Sequence, residues 1–427
     1  MLETPARIEP AFFEDETPNI LASLASEIQS EVVDLGAGLH PHASAELADF
    51  VRMMNCYYSN LIEGHNTRPK DIESAVQGAE LDPERRPLAL EAKAHVTVQR
   101  EIDLAYADGT LASPVSREFL SWVHREFYQN MPEEFRTAKA PGGRSVPIVP
   151  GAFRASGEED VEVGQHTPPS SERVQDFLAH FEKRYAQAEK WANTRIIAIA
   201  AAHHRLNFIH PFVDGNGRVS RLMSHAMGLR AGIGANGLWS ISRGLARGLK
   251  ERGEYKSMLD HADMPRQGDR DGRGNLSRRA LVDFCEWFLS VMLDQIRFTK
   301  AAFALPTIEQ RYGNLLKNLG HNERSVELIA ATLKFGKLNR GEAMFVLKTS
   351  ERTARDAVSK LVEEGFLRST TPKGPVRVSF PVQYRESLFP NLFTDVAFEP
   401  PAPPRLQRDR LPEDDEPEAP APKPRVR

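Results

Sequence analysis

Apolar positions recur at helical spacing through most of this chain, and strict strand-like alternation is confined to short stretches. The segment Ala43 to Ile62 has helical periodicity, and Gly64 stands where a helix would end. Thr194 to Ala202 (TRIIAIAAA) is apolar and helix-favouring, which predicts a buried helix, and Val219 to Leu229 is again helical in composition. Between Val146 and Pro169 the chain reads VPIVPGAFRASGEEDVEVGQHTPP. Val161 and Val163 alternate with polar neighbours and Gly157 marks a turn, so this stretch predicts a short hairpin ahead of the helices at 194–229.

After about Leu305 the pattern changes. Ser325 to Leu333 reads as one helix and Gly341 to Leu347 as a second. A third is capped by Thr349 or Ser350 and runs to Glu364, where Gly365 ends it. Phe366 to Phe380 then reads as two strands around the turn Pro372-Lys373-Gly374-Pro375. From Pro400 onward nine of twenty-eight residues are proline, among acids and arginines, a composition that buries no core and reads as disordered. The expected division is an N-terminal helical region over 1–110, a core over 111–300, a helix-and-strand module over 306–390 and a tail over 399–427. The fold class is mainly α.

Composition narrows the picture further. A net charge of −4 in 427 residues, with 27% charged, gives no global field that attracts nucleic acid or an acidic membrane. Two cysteines, Cys56 and Cys285, argue against a disulfide scaffold and fit a reducing cytoplasm. The acidic N-terminus MLETPARIEPAFFEDE lacks the apolar segment of a signal peptide, and the apolar run at Ile196 to Ala202 is too short to span a bilayer.

The chemistry concentrates in HPFVDGNGRVSR, His210 to Arg221. A Gly-Asn-Gly turn opening a helix presents free backbone N–H groups at the positive end of the helix dipole, which suits phosphate. Arg218 and Arg221 are three apart, so both project from one face of that helix. Two forked guanidiniums over a bed of amides suit a polyphosphate, and a nucleoside triphosphate is the natural guest. His210 offers an imidazole able to take a proton near neutrality. Asp214 is either a hard oxygen ligand for Mg²⁺ or a helix N-cap.

His210, Phe212, Asp214, Gly215, Asn216, Gly217, Arg218 and Arg221 reproduce HxFx(D/E)GNGRxxR, and on these residues the chain resembles the Fic (Fido) family. The resemblance implies a Fic-type helical bundle with a β-hairpin flap, and transfer of AMP from ATP to a Ser, Thr or Tyr hydroxyl of a target protein. It casts His210 as general base, Phe212 as an anchor for the loop and Asp214 as the ligand of Mg²⁺ bound to ATP. Gly215, Asn216 and Gly217 become the anion hole, with Arg218 and Arg221 as clamps on the β- and γ-phosphates.

Ser59-Asn60-Leu61-Ile62-Glu63-Gly64 matches the (S/T)xxxE(G/N) inhibitory signature of the same family. Ser59 and Glu63 share a helix face, and the resemblance implies that Glu63 pairs with Arg221 in the space of the γ-phosphate; the plain alternative is a surface glutamate. Pro150, Gly151, Arg154, Val161, Val163 and Gly164 match the family's flap, whose edge would add a strand from the target. Leu238 to Arg243 and Tyr255 resemble the segment closing the adenine pocket, although Tyr255-Lys256 stands where the family often has two tyrosines.

The C-terminal pattern resembles a winged helix-turn-helix, with Glu351, Arg352, Arg355, Ser359 and Lys360 exposed on its third helix. That face mixes charges, so a protein-docking or dimerisation role stands beside DNA binding. A target protein is the expected partner, with a homodimer and DNA as further ones and no membrane. The alternatives to AMP addition are AMP removal, use of another nucleotide such as UTP, or a DNA-binding regulator in which the Fic domain senses nucleotide. His203, His204 and His225 are expected in core or helix-surface roles rather than as metal ligands.

Overall fold

The computed structural model describes residues 3–13, 16–65, 67–79, 85–139, 143–164, 166–188, 192–234 and 237–393. The tail expected from 399 and Gln165 of the expected hairpin lie outside them. The chain is mainly helical. In order come α1 (Asn19–Val33), α2 (Pro41–Ile62), α3 (Pro69–Gln77), α4 (Arg86–Ala107) and α5 (Arg117–Tyr128). A ribbon of β1 (Thr137–Lys139) and β2 (Ser145–Pro147) precedes α6 (Val174–Ala188), α7 (Ala192–Ile209) and α8 (Asn216–Arg230). Then follow α9 (Ser242–Arg247), α10 (Glu254–Ala262), α11 (Arg278–Phe303), α12 (Leu305–Asn318) and α13 (Glu323–Phe335). The C-terminal part closes with α14 (Ala343–Val346), α15 (Glu351–Glu363), β3 (Leu367–Arg368), β4 (Arg377–Val378) and α16 (Arg385–Leu388).

Helix α7 is central because it is apolar all round: every residue from Ile196 to Ala202 is buried, and α1, α6, α8 and α11 surround it. Several helix starts carry the side-chain caps that free N–H groups require: Ser116 accepts from the Phe119 amide at 3.1 Å and Ser277 from Ala280 at 3.0 Å. The N-terminus is a strap over the core. The Tyr185 hydroxyl donates to the Ala11 carbonyl at 2.5 Å, Arg205 to the Pro10 carbonyl at 2.9 Å, and Arg184 pairs with Glu9 at 2.7 Å. Cys56 and Cys285 are both buried free thiols. Among the described residues no helix is long and apolar enough to cross a membrane.

The hairpin lies elsewhere than the alternation at 161–163 predicts. The paired strands are β1 and β2, with Ala138 opposite Val146. Among the described residues between Gly151 and Pro169 only a single bridge forms, Val163 to His166. Side-chain bonding to the backbone competes with strand pairing here: Glu159 accepts from the Ala155 amide at 2.6 Å and from Ser156 at 3.1 Å, folding 157–159 into a 3-10 turn.

In the C-terminal part the expected order of helix, helix, helix and ribbon is present. Ser350 caps α15, accepting from Thr353 at 3.3 Å, and Gly365 at φ +80° ends it in the left-handed conformation. Leu367 and Val378 face each other across the ribbon.

Candidate functional site

The site is built where the C-terminal end of α7 turns into the N-terminal end of α8. His210 takes φ +49°, a conformation that costs a residue with a Cβ on the order of 1–3 kcal/mol. Arg154 holds it there. This buried guanidinium donates from Nε to the His210 carbonyl at 2.8 Å, and from its terminal nitrogens to Pro169 and Ile209 carbonyls and to Ser171 Oγ. Burial depresses the His210 pKa to about 4, with Arg154 and His166 adding to the shift, so at pH 7 the imidazole is neutral and able to accept a proton.

The loop that follows is stapled from within. Asn216 Oδ1 accepts from the Phe212 amide at 2.9 Å, and its Nδ2 donates to the Phe212 carbonyl at 2.8 Å. The side chain of Asn216 therefore faces the loop, and an anion could be offered only its backbone. Phe212 is fully buried and stacks on His124, ring centroids 4.0 Å apart at 3°. His124 Nδ1 accepts from the Gly151 amide at 2.9 Å, which leaves Nε2–H to donate to the Asp214 carbonyl at 3.2 Å. Gly215, at φ +85°, is the N-cap residue of α8, so Asp214 is not the cap.

Arg218 and Arg221 are both buried on α8, but their guanidiniums serve different partners. Arg218 bonds Glu91 of α4 at 2.5 Å, Asp214 at 2.7 Å and the Tyr128 hydroxyl at 2.8 Å. The Tyr128 hydroxyl in turn donates to Asp214 Oδ2 at 2.5 Å. Burial alone would raise the Asp214 carboxyl. Arg218, the Tyr128 hydroxyl and the Gly215 amide outweigh it and keep the group ionised, below its ordinary value.

Arg221 turns to α2. Its Nε donates to Ser59 Oγ at 3.0 Å, and one terminal nitrogen reaches the Ser59 carbonyl at 3.3 Å and Glu63 Oε1 at 2.5 Å. Glu63 follows the last residue of α2, and Gly64 at φ +85° ends the helix as expected. The Glu63 carboxylate lies on the backbone of Gly217, so near that a Cβ there would collide with Oε1 and stand 2.9 Å from an Arg221 nitrogen. Burial alone would raise Glu63, and Arg221 followed by Arg218 reverses that, so the carboxyl is held below its usual range.

A cavity of about 440 Å³ opens over these groups. Glu63, Val163, Gly164, His210, Gly217, Arg221 and Tyr255 all line it, gathering seven of the sequence-derived site residues from four separate segments. Ser59, Asp214, Gly215, Asn216 and Arg218 are not part of this lining; Ser59 is bonded to Arg221 of the lining, Asp214 to Arg218, and Asn216 to the Phe212 amide. Tyr255 is buried, and its hydroxyl donates to His203 Nε2 at 2.7 Å; burial pushes its pKa up to about 12. The segment Leu238 to Arg243 does not line the cavity. Leu238, Trp239 and Ile241 are core residues, and Arg243 lies over the Phe298 ring at 3.6 Å.

Residues 114–227 match the Fic/DOC family. This part of the chain is a Fic/DOC domain. The chain is 28% identical over 186 residues to protein adenylyltransferase Fic of Aedes aegypti, covering 42% of this chain and 32% of that one. It is 41% identical over 91 residues to the protein of the same name from Drosophila melanogaster, covering 21% and 18%. The chain thus spans about a third or less of the length of these curated relatives. A solved Fic family protein from Desulfovibrio desulfuricans G20 aligns over 86% of this chain and 98% of that one, at 17% identity and a TM-score of 0.47.

Several groups that shape this Fic/DOC domain are not marked by its loop motif. Glu91, His124 and Tyr128 come from α4 and α5, and only the i, i+4 spacing of His124 and Tyr128 hints that they share a face. His166 meets Asp263 at 2.9 Å and the Phe208 carbonyl at 2.7 Å, tying the flap segment to α7 and to the end of α10. Both contacts join segments far apart in sequence. His203 and His204 are core residues: His203 lies between Ser224 and Tyr255, and His204 meets Asp263 at 3.1 Å.

Proposed function

We propose that this chain is a protein adenylyltransferase that moves AMP from ATP to a hydroxyl side chain of a target protein, and that Glu63 holds it silent. The observation that carries the reading is the Glu63 carboxylate seated on Gly217 against Arg221. A helix N-terminus with an arginine beside it is an anion site, and here the anion is the protein's own. With Glu63 withdrawn, the Gly215 to Gly217 amides and Arg221 can receive terminal phosphates. Arg218 then contributes chiefly through Asp214, which it holds in place at 2.7 Å.

In the reaction the target oxygen attacks the α-phosphorus, the bond to the β-phosphate oxygen breaks and pyrophosphate leaves. His210 takes the hydroxyl proton at its free ring nitrogen. The amides and Arg221 meet charge developing on the phosphoryl oxygens, usually the largest catalytic term. Asp214 fits a Mg²⁺ site: it is an ionised hard oxygen ligand, and Mg²⁺ needs only one or two carboxylates beside phosphate and water. No cluster of three or more metal-ligating side chains occurs among the described residues, so other ligands would come from nucleotide and solvent. Bound there, the ion would offset phosphate charge.

Val163 and Gly164 line the cavity, and because the amide and carbonyl of Val163 are bonded to His166, a target strand would pair with the backbone beside that bridge. The C-terminal module reads as a winged helix, but two of the three cations of α15 have acidic partners close in sequence, Arg355 with Glu351 at 2.7 Å and Lys360 with Glu364 at 4.0 Å. That pairing favours a protein contact over DNA.

ATP labelled on the α-phosphate, given to wild type, Glu63→Gly and Glu63→Gly/His210→Ala with a cell lysate, tests the proposal. Strong labelling of protein by Glu63→Gly alone is expected. Equal silence in all three, with ATP bound and folding intact, sinks it.

A further inference from the structure

Helix α2, which ends at Glu63, is gripped along its length by residues from the far end of the chain. His40, its N-cap residue, lies so close to Gly336 that a Cβ at 336 would overlap the imidazole. Farther along α2, Glu46 pairs with Arg368 of β3. Glu46 is nearly buried, and burial raises its carboxyl in spite of that partner. One turn on, the Phe50 ring stands 5.1 Å from Phe389 and 5.2 Å from Phe393. Tyr57 lies 5.8 Å from Phe393, only six residues before Glu63, or about 9 Å along the axis at 1.5 Å per residue.

The other faces of α2 pack on α3, α4 and α9, so the helix is held between two bodies. The wedge that meets it is itself anchored. Asn391 adopts φ +65° and its carbonyl accepts from Arg243 at 2.9 Å, while Arg311 donates to the Leu388 carbonyl at 3.2 Å. Phe389, Leu392 and Phe393 are all buried.

We propose that the C-terminal module, residues 305–393, is the clamp that seats α2, and that shifting the module off α2 withdraws Glu63 from Arg221. The inference rests on the reading of Glu63 as a brake. A continuous 22-residue helix transmits a tilt from one end to the other, and the Glu63 contact depends on a single side chain at its terminus. The module bears on α2 at its N-cap, at Glu46, at Phe50 and at Tyr57, so a small rotation of the module is delivered at the carboxylate. The brake then answers to whatever takes hold of the module.

The test uses the full chain with Arg368→Ala, Phe393→Ala and the charge-exchanged Glu46→Arg/Arg368→Glu, each with Glu63 present and with Glu63→Gly. Amide hydrogen exchange at residues 59–64 reads the seating of α2, and α-phosphate label on protein reads the brake. Expected is exchange at 59–64 at least tenfold faster in both single variants, with slow exchange regained in the exchanged pair. Labelling should rise at least fivefold with Glu63 present and not at all beyond Glu63→Gly alone. Unchanged exchange at 59–64 in both single variants overturns the clamp, as does an increase spread evenly over the molecule. Faster exchange at 59–64 while Glu63→Gly itself labels nothing leaves the clamp standing and removes the transferase reading.

Discussion

The carboxylate of Glu63 meets the guanidinium of Arg221 at 2.5 Å directly on Gly217, where any side chain would collide with it. Two helices distant in sequence thereby close one anion site with a group the chain supplies itself.

Glu63→Gly is expected to tighten ATP binding by about tenfold to a hundredfold, the range set by removing one charge-assisted contact of roughly 1.5–3 kcal/mol. Calorimetric titration with ATP and Mg²⁺ checks it. An unchanged affinity would mean that Glu63 and the nucleotide do not share space. The same variant should be less stable without nucleotide, because Arg221 is left buried beside an empty position.

As the proposed base, His210 should govern the pH profile. With its pKa lowered to about 4, kcat/KM of the Glu63→Gly protein is expected to stay level from pH 8 to about 5 and to fall as the imidazole protonates below that. An ordinary histidine would give a fall already between pH 7 and 6. His210→Ala should remove about 10²- to 10⁴-fold of the rate while ATP affinity holds within a few-fold.

Acid should weaken the fold itself. Burial lowers His95 and His203 to about 3, and His124 and His210 to about 4, from an ordinary 6.5. The unfolded chain therefore binds more protons throughout the interval between these values and 6.5, so stability falls as pH drops through it. Each such histidine costs on the order of 1.4 kcal/mol by pH 5.5. Glu63, Glu91 and Asp214 are lowered too, and their contribution, present above the ordinary carboxyl range, is lost below it. Urea midpoints at pH 7.5 and 5.5 check the direction; equal midpoints would contradict it.

Asn216→Ala removes both bonds to Phe212 and leaves a buried amide and carbonyl without partners. A loss of about 2–4 kcal/mol is expected, measured by denaturant titration. Asn216→Asp retains the acceptor for the Phe212 amide but loses the donor, and should fall between the two.

Much of this was legible in the chain before any coordinates. The run His210 to Arg221 is local, so its loop-to-helix turn, its glycines and its histidine could be read from spacing alone. The Glu63–Arg221 contact could be expected only from resemblance, because nothing in either segment announces a partner so far away. Glu91 and Tyr128 escaped a role for the same reason, and Arg154, placed in the flap outline, was not expected to hold His210: each acts by reaching across the fold. The alternation at Val161 and Val163 misled because Glu159 holds the Ala155 and Ser156 amides in a 3-10 turn where the facing strand would lie, and Val163 pairs only locally with His166. At Leu238 to Arg243 the pocket wall was expected from resemblance alone, and the structure buries the segment in the core.

Glu63 and Arg221 are separated by 158 positions, with the glutamate first. On the ribosome, at roughly 5–20 residues per second, the glutamate is therefore made some 8–30 seconds before the arginine. The helix that leads to Glu63 has left the exit tunnel while the loop that carries His210 is still being translated. No nascent chain ever bears that loop without the glutamate already attached to it. On the reading of Glu63 as a brake, the restraint is made before what it restrains, while residues 305–393, which bear on α2, are made after both.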